Sequence, residues 1–216
     1  MSDGDLRVVS WNVRSLRDDA RGVARALLDL EPDLVCVQEA PRLLLWRLWR
    51  SCLARRAGLR LLTRSRACGN LLLAGPRVHA VATGVVVLPR RPGLHRRAAA
   101  WAQVEVQGRG LVLAGTHLDL DAQARLDSAR RIRSALPPGP LVLGADVNDE
   151  PGTPAWAALA DGLADPGRAP TFPARGPARR LDALLVDPAL EVVSYEVVGT
   201  GLVSDHLAVR ADLRWS

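Results

Sequence analysis

The sequence lacks several residue types that particular chemistries require. It contains no lysine, so all 29 basic residues are arginine. Mechanisms that depend on a lysine, such as Schiff-base catalysis, a phosphate-binding P-loop or a serine–lysine dyad, are therefore excluded. The three cysteines, Cys36, Cys52 and Cys68, are odd in number and form no Cys-x-x-Cys pair. We therefore expect neither a disulfide framework nor a thiolate zinc site, and a reducing cytoplasm fits best.

Long apolar runs are missing as well. No stretch reaches the roughly 20 residues that a membrane-spanning helix needs. The first ten residues, MSDGDLRVVS, have neither a basic region nor a long apolar core, so we expect no signal peptide. A length of 216 residues predicts one domain over residues 1–216, and we expect it to be a monomer in the cytoplasm.

The charge balance is basic, with a net charge of +6 and a pI of about 10.7. Such a balance favours polyanionic partners, either nucleic acid or an anionic lipid surface. Arginine that has simply replaced lysine on the solvated surface explains the same numbers. Charge alone leaves these alternatives open, because it bears on association and not on fold.

Apolar runs alternate with helical spacing in the first 40 residues. Residues 6–11 (LRVVSW) and 34–38 (LVCVQ) have the composition of buried strands. Between them, residues 18–30 carry apolar side chains at helical spacing and stop at Pro32. This order predicts a parallel strand pair joined by a crossover helix.

The remainder of the chain continues as an α/β pattern. Helices are predicted over residues 41–56, 121–136 and 153–159, with Pro41 in the first turn of the earliest. A hairpin turn is predicted at residues 108–110, and residues 165–180 are predicted to form a loop near the site. Further strands are predicted over residues 71–74, 78–88, 99–106, 111–116, 141–145, 184–186, 192–198 and 207–213.

The scarce polar residues follow the predicted strands. Asn12, Glu39, His117 and Asp146 each come at or just after a strand end, and Asp205 precedes the last strand. In open α/β sheets ligands bind at strand ends, so these side chains are expected to meet in one pocket. Each residue taken singly is also explained as a turn or a helix cap.

Six motifs occur in an order that resembles a known family. The sequence is similar to the endonuclease/exonuclease/phosphatase superfamily, the metal-dependent phosphodiesterases related to deoxyribonuclease I. The resemblance implies a four-layer α/β sandwich in which two mixed sheets pack face to face with helices outside. It is carried by WNVRSL at 11–16, PDLVCVQEA at 32–40, THLD at 116–119, GADVNDEPGTPAW at 144–156, RRLDALLV at 179–186 and SDHLAV at 204–209.

The resemblance implies a metal site. It gives Glu39 as the first ligand, Asn12 as a neighbouring ligand or phosphate contact, and Asp205 as a ligand that acts directly or through water. Hard oxygen ligands of this kind suit Mg²⁺ or Mn²⁺.

The resemblance also implies catalytic roles for five residues. Asp146 is expected to orient or deprotonate the attacking water, and Asn148 to contact a phosphate oxygen. His206 is expected to stabilise the pentacovalent phosphorane, with its second ring nitrogen held by Asp182. His117 is expected to assist the leaving group or to contact phosphate.

Three further residues are expected at the substrate phosphates. Asn70 lies in CGNLLL, Arg97 precedes a central strand, and Arg125 lies on the helix after THLD. For the two arginines, a surface salt bridge is an equally good explanation. The Tyr-x-Pro-Asn segment of the exonuclease III-like branch is absent, since the only tyrosine, Tyr195, lies outside such a motif.

The function predicted from the sequence is divalent-metal-dependent phosphodiester hydrolysis by an endonuclease of low sequence specificity on DNA or RNA. The alternative substrate is a phospholipid, a phosphoinositide or another small phosphate ester. A third hypothesis is a catalytically silent binding module. Residues 41–56 bear on the choice, because their Trp and Arg residues fit an anionic lipid interface, although an amphipathic helix packed on a sheet explains them better.

Overall fold

The computed structural model describes residues 5–93 and 95–216. Six strands form the first sheet, in the order β10-β11-β1-β2-β4-β3. Strand β1 is parallel to β2 and antiparallel to β11, so this sheet is mixed. The six strands are β1 (Leu6–Asn12), β2 (Leu34–Gln38), β3 (Arg60–Leu61), β4 (Leu71–Ala74), β10 (Leu190–Val198) and β11 (Ala208–Trp215).

The second sheet has five strands in the order β5-β6-β7-β8-β9. It is also mixed, because β7 and β8 are parallel and the other pairs are antiparallel. The five strands are β5 (Val78–Val87), β6 (Ala98–Val106), β7 (Arg109–His117), β8 (Leu141–Asp146) and β9 (Asp182–Val186).

Four helices cover the outer faces: α1 (Ala20–Leu30), α2 (Trp46–Arg56), α3 (Ala122–Ala135) and α4 (Pro154–Ala160). Helices α1 and α2 share an apolar cluster with the first sheet, and α3 and α4 share one with the second. A third cluster lies between the sheets and contains residues from both, such as Leu34, Leu72 and Leu113. The molecule is thus the four-layer sandwich that the motifs predicted.

The crossover unit has clear sequence causes. Asp19 caps α1, because its carboxylate accepts hydrogen bonds from the backbone N–H groups of Arg21 and Gly22. Val23 and Leu27 of this helix are fully buried. Strand β1 precedes this helix in the chain, and β2 follows it. The two strands pair in parallel, from Val8 opposite Leu34 to Asn12 opposite Gln38. The prediction of a parallel pair with a crossover helix is confirmed.

The predicted helix over residues 41–56 is wrong in its first turn. Helix α2 begins at Trp46, and Leu45 before it has a left-handed φ of 57°. Pro41 is therefore not in the first turn, and residues 41–45 form a connection that leads away from Glu39. Sequence periodicity missed this break because leucines fill both the connection and the helix.

Two predictions concern the edges of the described chain. Residues 1–4 lie outside the described residues, so part of the segment MSDGDLRVVS does as well, and the expectation that it is not a signal peptide stays a prediction. Within the described part, none of the helices combines the length and the apolar character that crossing a bilayer demands. The boundary of a single domain over 1–216 stays a prediction.

Candidate active site

The candidate site lies where strand ends of the two sheets meet. Asn12 ends β1 beside Gln38 of β2, and His117, Asp146 and Asp182 pair side by side across β7, β8 and β9. The Asn12 Nδ2 donates to Asp146 Oδ2 over 2.8 Å and so joins the sheets. The sequence-based expectation that these polar residues converge is met by this geometry.

Asp146 is a fully enclosed carboxylate, with 1% of its surface exposed, as is Asp182 beside it. Its Oδ1 accepts from the backbone N–H of Asn148 at 3.0 Å, and its Oδ2 lies 3.4 Å from His117 Nε2 and 3.9 Å from His206 Nε2. Burial alone would raise the pKa of Asp146, but the two histidines and the hydrogen bonds from Asn12 and Asn148 hold it below its usual value. Asp146 is therefore a buried anion.

His206 and Asp182 form a buried, hydrogen-bonded pair. His206 Nδ1 and Asp182 Oδ2 are 2.8 Å apart, and the same oxygen accepts from the Thr171 hydroxyl at 2.6 Å. The Phe172 ring lies against the imidazole, with ring centroids 4.8 Å apart. Burial opposes the charge on His206, but Asp182, by hydrogen bond and by charge, and Asp146 together raise its pKa to about 9. His206 is thus a cation at neutral pH, aimed at Asp146.

The electrostatics of Asp182 and His117 complete this picture. Burial and the nearby Asp146 raise the pKa of Asp182, while the hydrogen bonds from His206 and Thr171 favour its anion. Burial lowers the pKa of His117, so this second imidazole is neutral. The site therefore holds one charged and one neutral histidine around a single carboxylate.

The side chain of Asn148 holds His117 in place. Its Nδ2 donates to His117 Nε2 at 2.8 Å and to the Leu118 carbonyl at 2.9 Å. Nε2 is then the acceptor nitrogen, which leaves the proton on Nδ1, 3.8 Å from Glu39 Oε1. A contact from Asn148 Nδ2 to a phosphate oxygen, as the sequence predicts, requires one of these two bonds to be exchanged.

Glu39 and Asp205 supply the partly exposed carboxylates at the site. Glu39 has 38% of its side chain exposed, and its Oε1 lies 3.3 Å from Asn12 Nδ2. No arginine forms an ion pair with Glu39 among the described residues, so its charge is available to a cation. Asp205 Oδ2 lies 3.4 Å from Arg14 Nε, and this guanidinium partly neutralises it. The oxygen donors of Glu39 and Asn12 fit a hard divalent ion.

A second group of ligand-type atoms is also close together. Asp146, Asp182 and His206 place a carboxylate oxygen or ring nitrogen within 4.8 Å of one another. Asp182 Oδ2 and His206 Nδ1 are hydrogen-bonded to each other, and Asp182 Oδ2 also accepts from the Thr171 hydroxyl. Asp182 Oδ1 has no hydrogen-bond partner among the described residues. Two of the ligand-type atoms of this trio are therefore already engaged with protein partners.

Three predicted phosphate contacts have different surroundings. Asn70 is buried, and its Nδ2 donates to the carbonyls of Ala67 and Ala98 at 3.0 and 2.8 Å. Arg97 is partly buried, its Nε lies 3.7 Å from Asp119 Oδ2, and this Nε has no hydrogen-bond partner among the described residues. Burial lowers the pKa of Arg97. The unpartnered Nε is itself inaccessible to solvent, so a contact from Arg97 to phosphate stays a prediction.

Arg125 is anchored within the protein. Its Nε and Nη2 lie 3.0 and 2.9 Å from Asp149 Oδ2, and its Nη1 donates to the Leu120 carbonyl at 2.6 Å. This arrangement matches the salt-bridge alternative, and a role at phosphate stays a prediction. Its contacts stabilise the connection that follows His117.

Sequence reasoning missed the contacts that hold His206, Asp182 and the backbone of Asn12 in place. Thr171 and Phe172 lie in the segment predicted only as a loop near the site, and Ser204 Oγ donates to the Asn12 carbonyl at 2.7 Å. Trp11 Nε1 donates to the carbonyl of His206 at 2.9 Å. The one available signal was scarcity, since Phe172 is the only phenylalanine.

Solved structures with this fold come from several organisms. An endonuclease/exonuclease/phosphatase family protein from Bacteroides thetaiotaomicron is 18% identical, with 98% of each chain covered and a TM-score of 0.83. The B. thetaiotaomicron mannosyl-6-phosphatase Bt3783 is 17% identical over 97% of this chain and 100% of its own, with a TM-score of 0.84. D. rerio TDP2 complexed with single-strand DNA product is 20% identical over 98% and 100%, with a TM-score of 0.79.

Sequence comparison identifies the family directly. Residues 9–206 match the Endonuclease/Exonuclease/phosphatase family, a span that includes every residue of the candidate site. No curated protein matches the chain. Members of this family are hydrolases that act on phosphate esters and generally depend on a divalent metal. Because the family model matches nearly the whole chain and solved structures of the family share its fold, the chain belongs to the endonuclease/exonuclease/phosphatase family.

Proposed function

We propose that this protein hydrolyses phosphodiester bonds in nucleic acid with the help of a divalent metal, cutting internally and with low sequence specificity. The observation that carries the proposal is the buried Asp146 anion, which lies between a cationic and a neutral histidine at the junction of the sheets. Family membership supports the reaction class. The substrate is argued from charge below.

Asp146 and His206 divide the work of the proposed reaction. The Asp146 carboxylate orients a water and accepts its proton as the water attacks phosphorus. His206, cationic and held by Asp182, stabilises the negative charge that grows on the phosphoryl oxygens. The same imidazolium can give up its Nε2 proton, because Nδ1 remains bonded to Asp182.

His117 and Asn148 have a separate role in the proposed reaction. His117 is neutral and oriented by Asn148, so it is suited to hydrogen bonding with the leaving oxygen. Glu39 and Asn12, with Asp205, would hold Mg²⁺ or Mn²⁺. When bound, the ion supplies positive charge that neutralises phosphoryl oxygens.

The substrate assignment rests on charge. The chain is basic overall, with a net charge of +6. No base-reading motif was found in the sequence, so phosphate contacts would dominate and activity would fall steeply with salt. D. rerio TDP2, which has the same fold, has been solved with a single-strand DNA product.

The decisive test is nicking of supercoiled plasmid by the purified protein with Mg²⁺, with Mn²⁺ and with chelator. Asp146→Asn removes the proposed base at nearly constant volume. Asp161→Asn, an exposed acid at the end of α4, is the matched control. We expect nicking that requires metal, survives in the control and is lost in Asp146→Asn. Folded native protein that leaves plasmid intact under all conditions would contradict the nuclease assignment.

An exposed apolar patch favours a second candidate, hydrolysis of a phospholipid. Its members are Leu43, Leu44, Leu45, Leu48 and Trp49, each at least 48% exposed. The patch borders a cleft that includes Glu39, and large exposed apolar patches mark interaction sites. Flotation with anionic liposomes, together with phosphodiester release from their lipids, would support this candidate. A nuclease has no need of lipid.

A further inference from the structure

Charge is distributed unevenly along the chain. The 65 residues from 40 to 104 contain thirteen arginines and no aspartate or glutamate. The remaining 151 residues contain sixteen arginines and all 23 acids. One segment therefore carries a formal charge of +13, whereas the rest of the chain carries −7. A surface built from this segment has no acid of its own to pair with.

Part of this segment folds into a concave surface between α2 and β3. The cavity has a volume of about 770 Å³ and is lined by Trp46, Arg47, Arg50, Arg60 and Arg64, among others. We call it the arginine groove. Arg47, Arg60 and Arg64 are exposed, and none of them has an ion-pair partner among the described residues.

Three arginine side chains surround the Trp46 ring at one end of the groove. The guanidinium carbons of Arg47, Arg50 and Arg66 lie 5.2, 5.0 and 5.6 Å from its centroid. Arg50 is buried and donates only to backbone carbonyls, those of Pro41, Ser65 and Arg66. Three like charges around one ring without a counterion leave a positive potential that an anion would neutralise.

A hydrogen bond links the arginine groove to the cleft of the candidate active site. Arg50 bonds to the carbonyl of Pro41, and Pro41 lines the cleft that contains Glu39. On the other flank, Arg66 comes directly before the short turn at residues 67–69, whose Gly69 carbonyl accepts from the Ala40 N–H at 2.7 Å. The groove and the cleft are therefore neighbouring surfaces, and a strand that leaves the site in this direction would meet the groove.

The shape of the arginine groove favours a single nucleic acid strand over a membrane as its partner. At about 100° per helical residue, Trp46, Arg47 and Arg50 lie on one flank of α2, whereas Leu48 and Trp49 lie on another. A flat bilayer meets protruding side chains, and it would meet the apolar patch rather than the floor of a groove. A single polyanionic strand fits a concave, arginine-lined surface.

We propose that the arginine groove binds the phosphate backbone of a single-stranded segment of the nucleic acid substrate, with Arg47, Arg60 and Arg64 as its phosphate contacts. This inference rests on the proposed function, because it extends the path of the substrate beyond the cleaved bond. It makes affinity depend on strand length as well as on the catalytic residues.

The test compares two variants that lose the same charge. Arg60→Gln/Arg64→Gln removes two cations from the groove. Arg55→Gln/Arg56→Gln removes two exposed cations from the last turn of α2, outside the groove. Binding of a fluorescein-labelled 20-nucleotide oligothymidine is measured by anisotropy in chelator, over a range of salt concentrations and beside a 4-nucleotide probe.

We expect the groove pair to weaken binding of the 20-mer at least tenfold and to reduce its salt slope by about 1.4, the value for two lost contacts to a single strand. The control pair should change affinity less than threefold, and the 4-mer should distinguish the proteins little. Equal weakening by both pairs, or native protein that does not bind the 20-mer, would overturn the proposal. So would groove-dependent binding of phosphatidylglycerol vesicles without binding of the oligonucleotide.

A parallel assay separates this inference from the proposed function. Native protein with Mg²⁺ or Mn²⁺ is given bis-p-nitrophenyl phosphate. This phosphodiester is too small to extend from the active site into the arginine groove. Hydrolysis without 20-mer binding means that the chemistry stands and the groove assignment fails. Groove-dependent 20-mer binding without hydrolysis of this ester or of plasmid means that the groove stands and the proposed catalysis fails.

Discussion

At the residue scale, the site depends on positioning as much as on the groups that face the substrate. Asp182 is buried and has no route to a bound phosphate except through His206. Thr171 donates to Asp182 and also accepts from the backbone N–H groups of Leu181 and Asp182. This hydroxyl thus locks the carboxylate to the start of β9, and the carboxylate in turn fixes the imidazole.

The first prediction concerns this positioning. Asp182→Asn should lower kcat by about 10²–10⁴-fold, because His206 loses the anion that keeps it charged and oriented. KM should change little, since Asp182 does not touch substrate. Thr171→Val should lower kcat by about tenfold or less, as one hydrogen bond is worth about 1 kcal/mol. Steady-state kinetics on bis-p-nitrophenyl phosphate measures both, and native kcat in Asp182→Asn would contradict the assigned role.

The second prediction concerns a residue far from catalysis. Cys36 lies between the sheets, and burial raises the pKa of its thiol to about 12. Cys52 and Cys68 are only partly buried. Iodoacetamide at pH 8 should therefore alkylate those two in the native protein and leave Cys36 intact until urea unfolds the chain. Mass spectrometry of the native and unfolded protein checks this, and prompt modification of Cys36 would show that the sheets separate readily.

At the element scale, a glycine allows the two sheets to pack in direct contact. A Cβ added to Gly144 on β8 would lie 2.6 Å from Cys36 Cβ and 2.7 Å from Ser10 Oγ, both on the opposite sheet. These distances are too short for any Cβ. Gly144 thus permits the approach that brings Asn12 and Asp146 within hydrogen-bond distance.

The third prediction tests that contact. Gly144→Ala should reduce the free energy of unfolding by about 1–3 kcal/mol, because overpacking forces the sheets apart. Gly110→Ala on β7 is the matched control, since a Cβ there meets nothing within 4 Å. Its effect should stay within about 0.5 kcal/mol. Urea unfolding measures both variants, and equal stability of the two would mean that the sheets adjust without cost.

Element prediction from the sequence succeeded where periodicity and breakers agreed. The strand at 34–38 and the strand at 71–74 have the predicted bounds. The hairpin turn lies at Gln107 and Gly108, one residue before the predicted 108–110. Both residues are left-handed, with φ of 54° and 76°. The turn needs two left-handed residues, and the sequence marks only one of them with glycine. The start of α2 was missed because its N-cap, Leu45, has no capping side chain.

At the scale of the whole molecule, the site is assembled from distant parts of the chain. Asn12 and Asp146 are 134 positions apart in sequence, and Ser204 reaches the carbonyl of Asn12 across 192. The motif resemblance predicted which residues meet. It did not predict the arginine groove, because the pairing of α2 with β3 that forms it leaves no periodic signal in a two-residue strand.

The last prediction concerns the pair that joins the two ends of the fold. Arg7 on β1 and Asp212 on β11 are 205 positions apart and are joined by hydrogen bonds of 2.7 and 3.1 Å. The hydrogen bond with Arg7 holds the pKa of Asp212 below its usual value. Its stabilisation is therefore complete above the unfolded pKa of about 3.9 and is lost as the pH falls through the lower folded value.

Asp212→Asn should consequently lower the free energy of unfolding by about 1–3 kcal/mol at pH 7, since it removes a hydrogen-bonded charge from a partly buried pair. Its stability should also decline less steeply than that of the native protein below about pH 4. Asp161→Asn, an exposed acid, is the control. Urea unfolding from pH 7 to pH 2 measures the three proteins. Parallel acid limbs for Asp212→Asn and native protein would mean that another carboxylate governs acid stability, with Asp33, which accepts from the Arg7 backbone N–H at 2.8 Å, next to be tested.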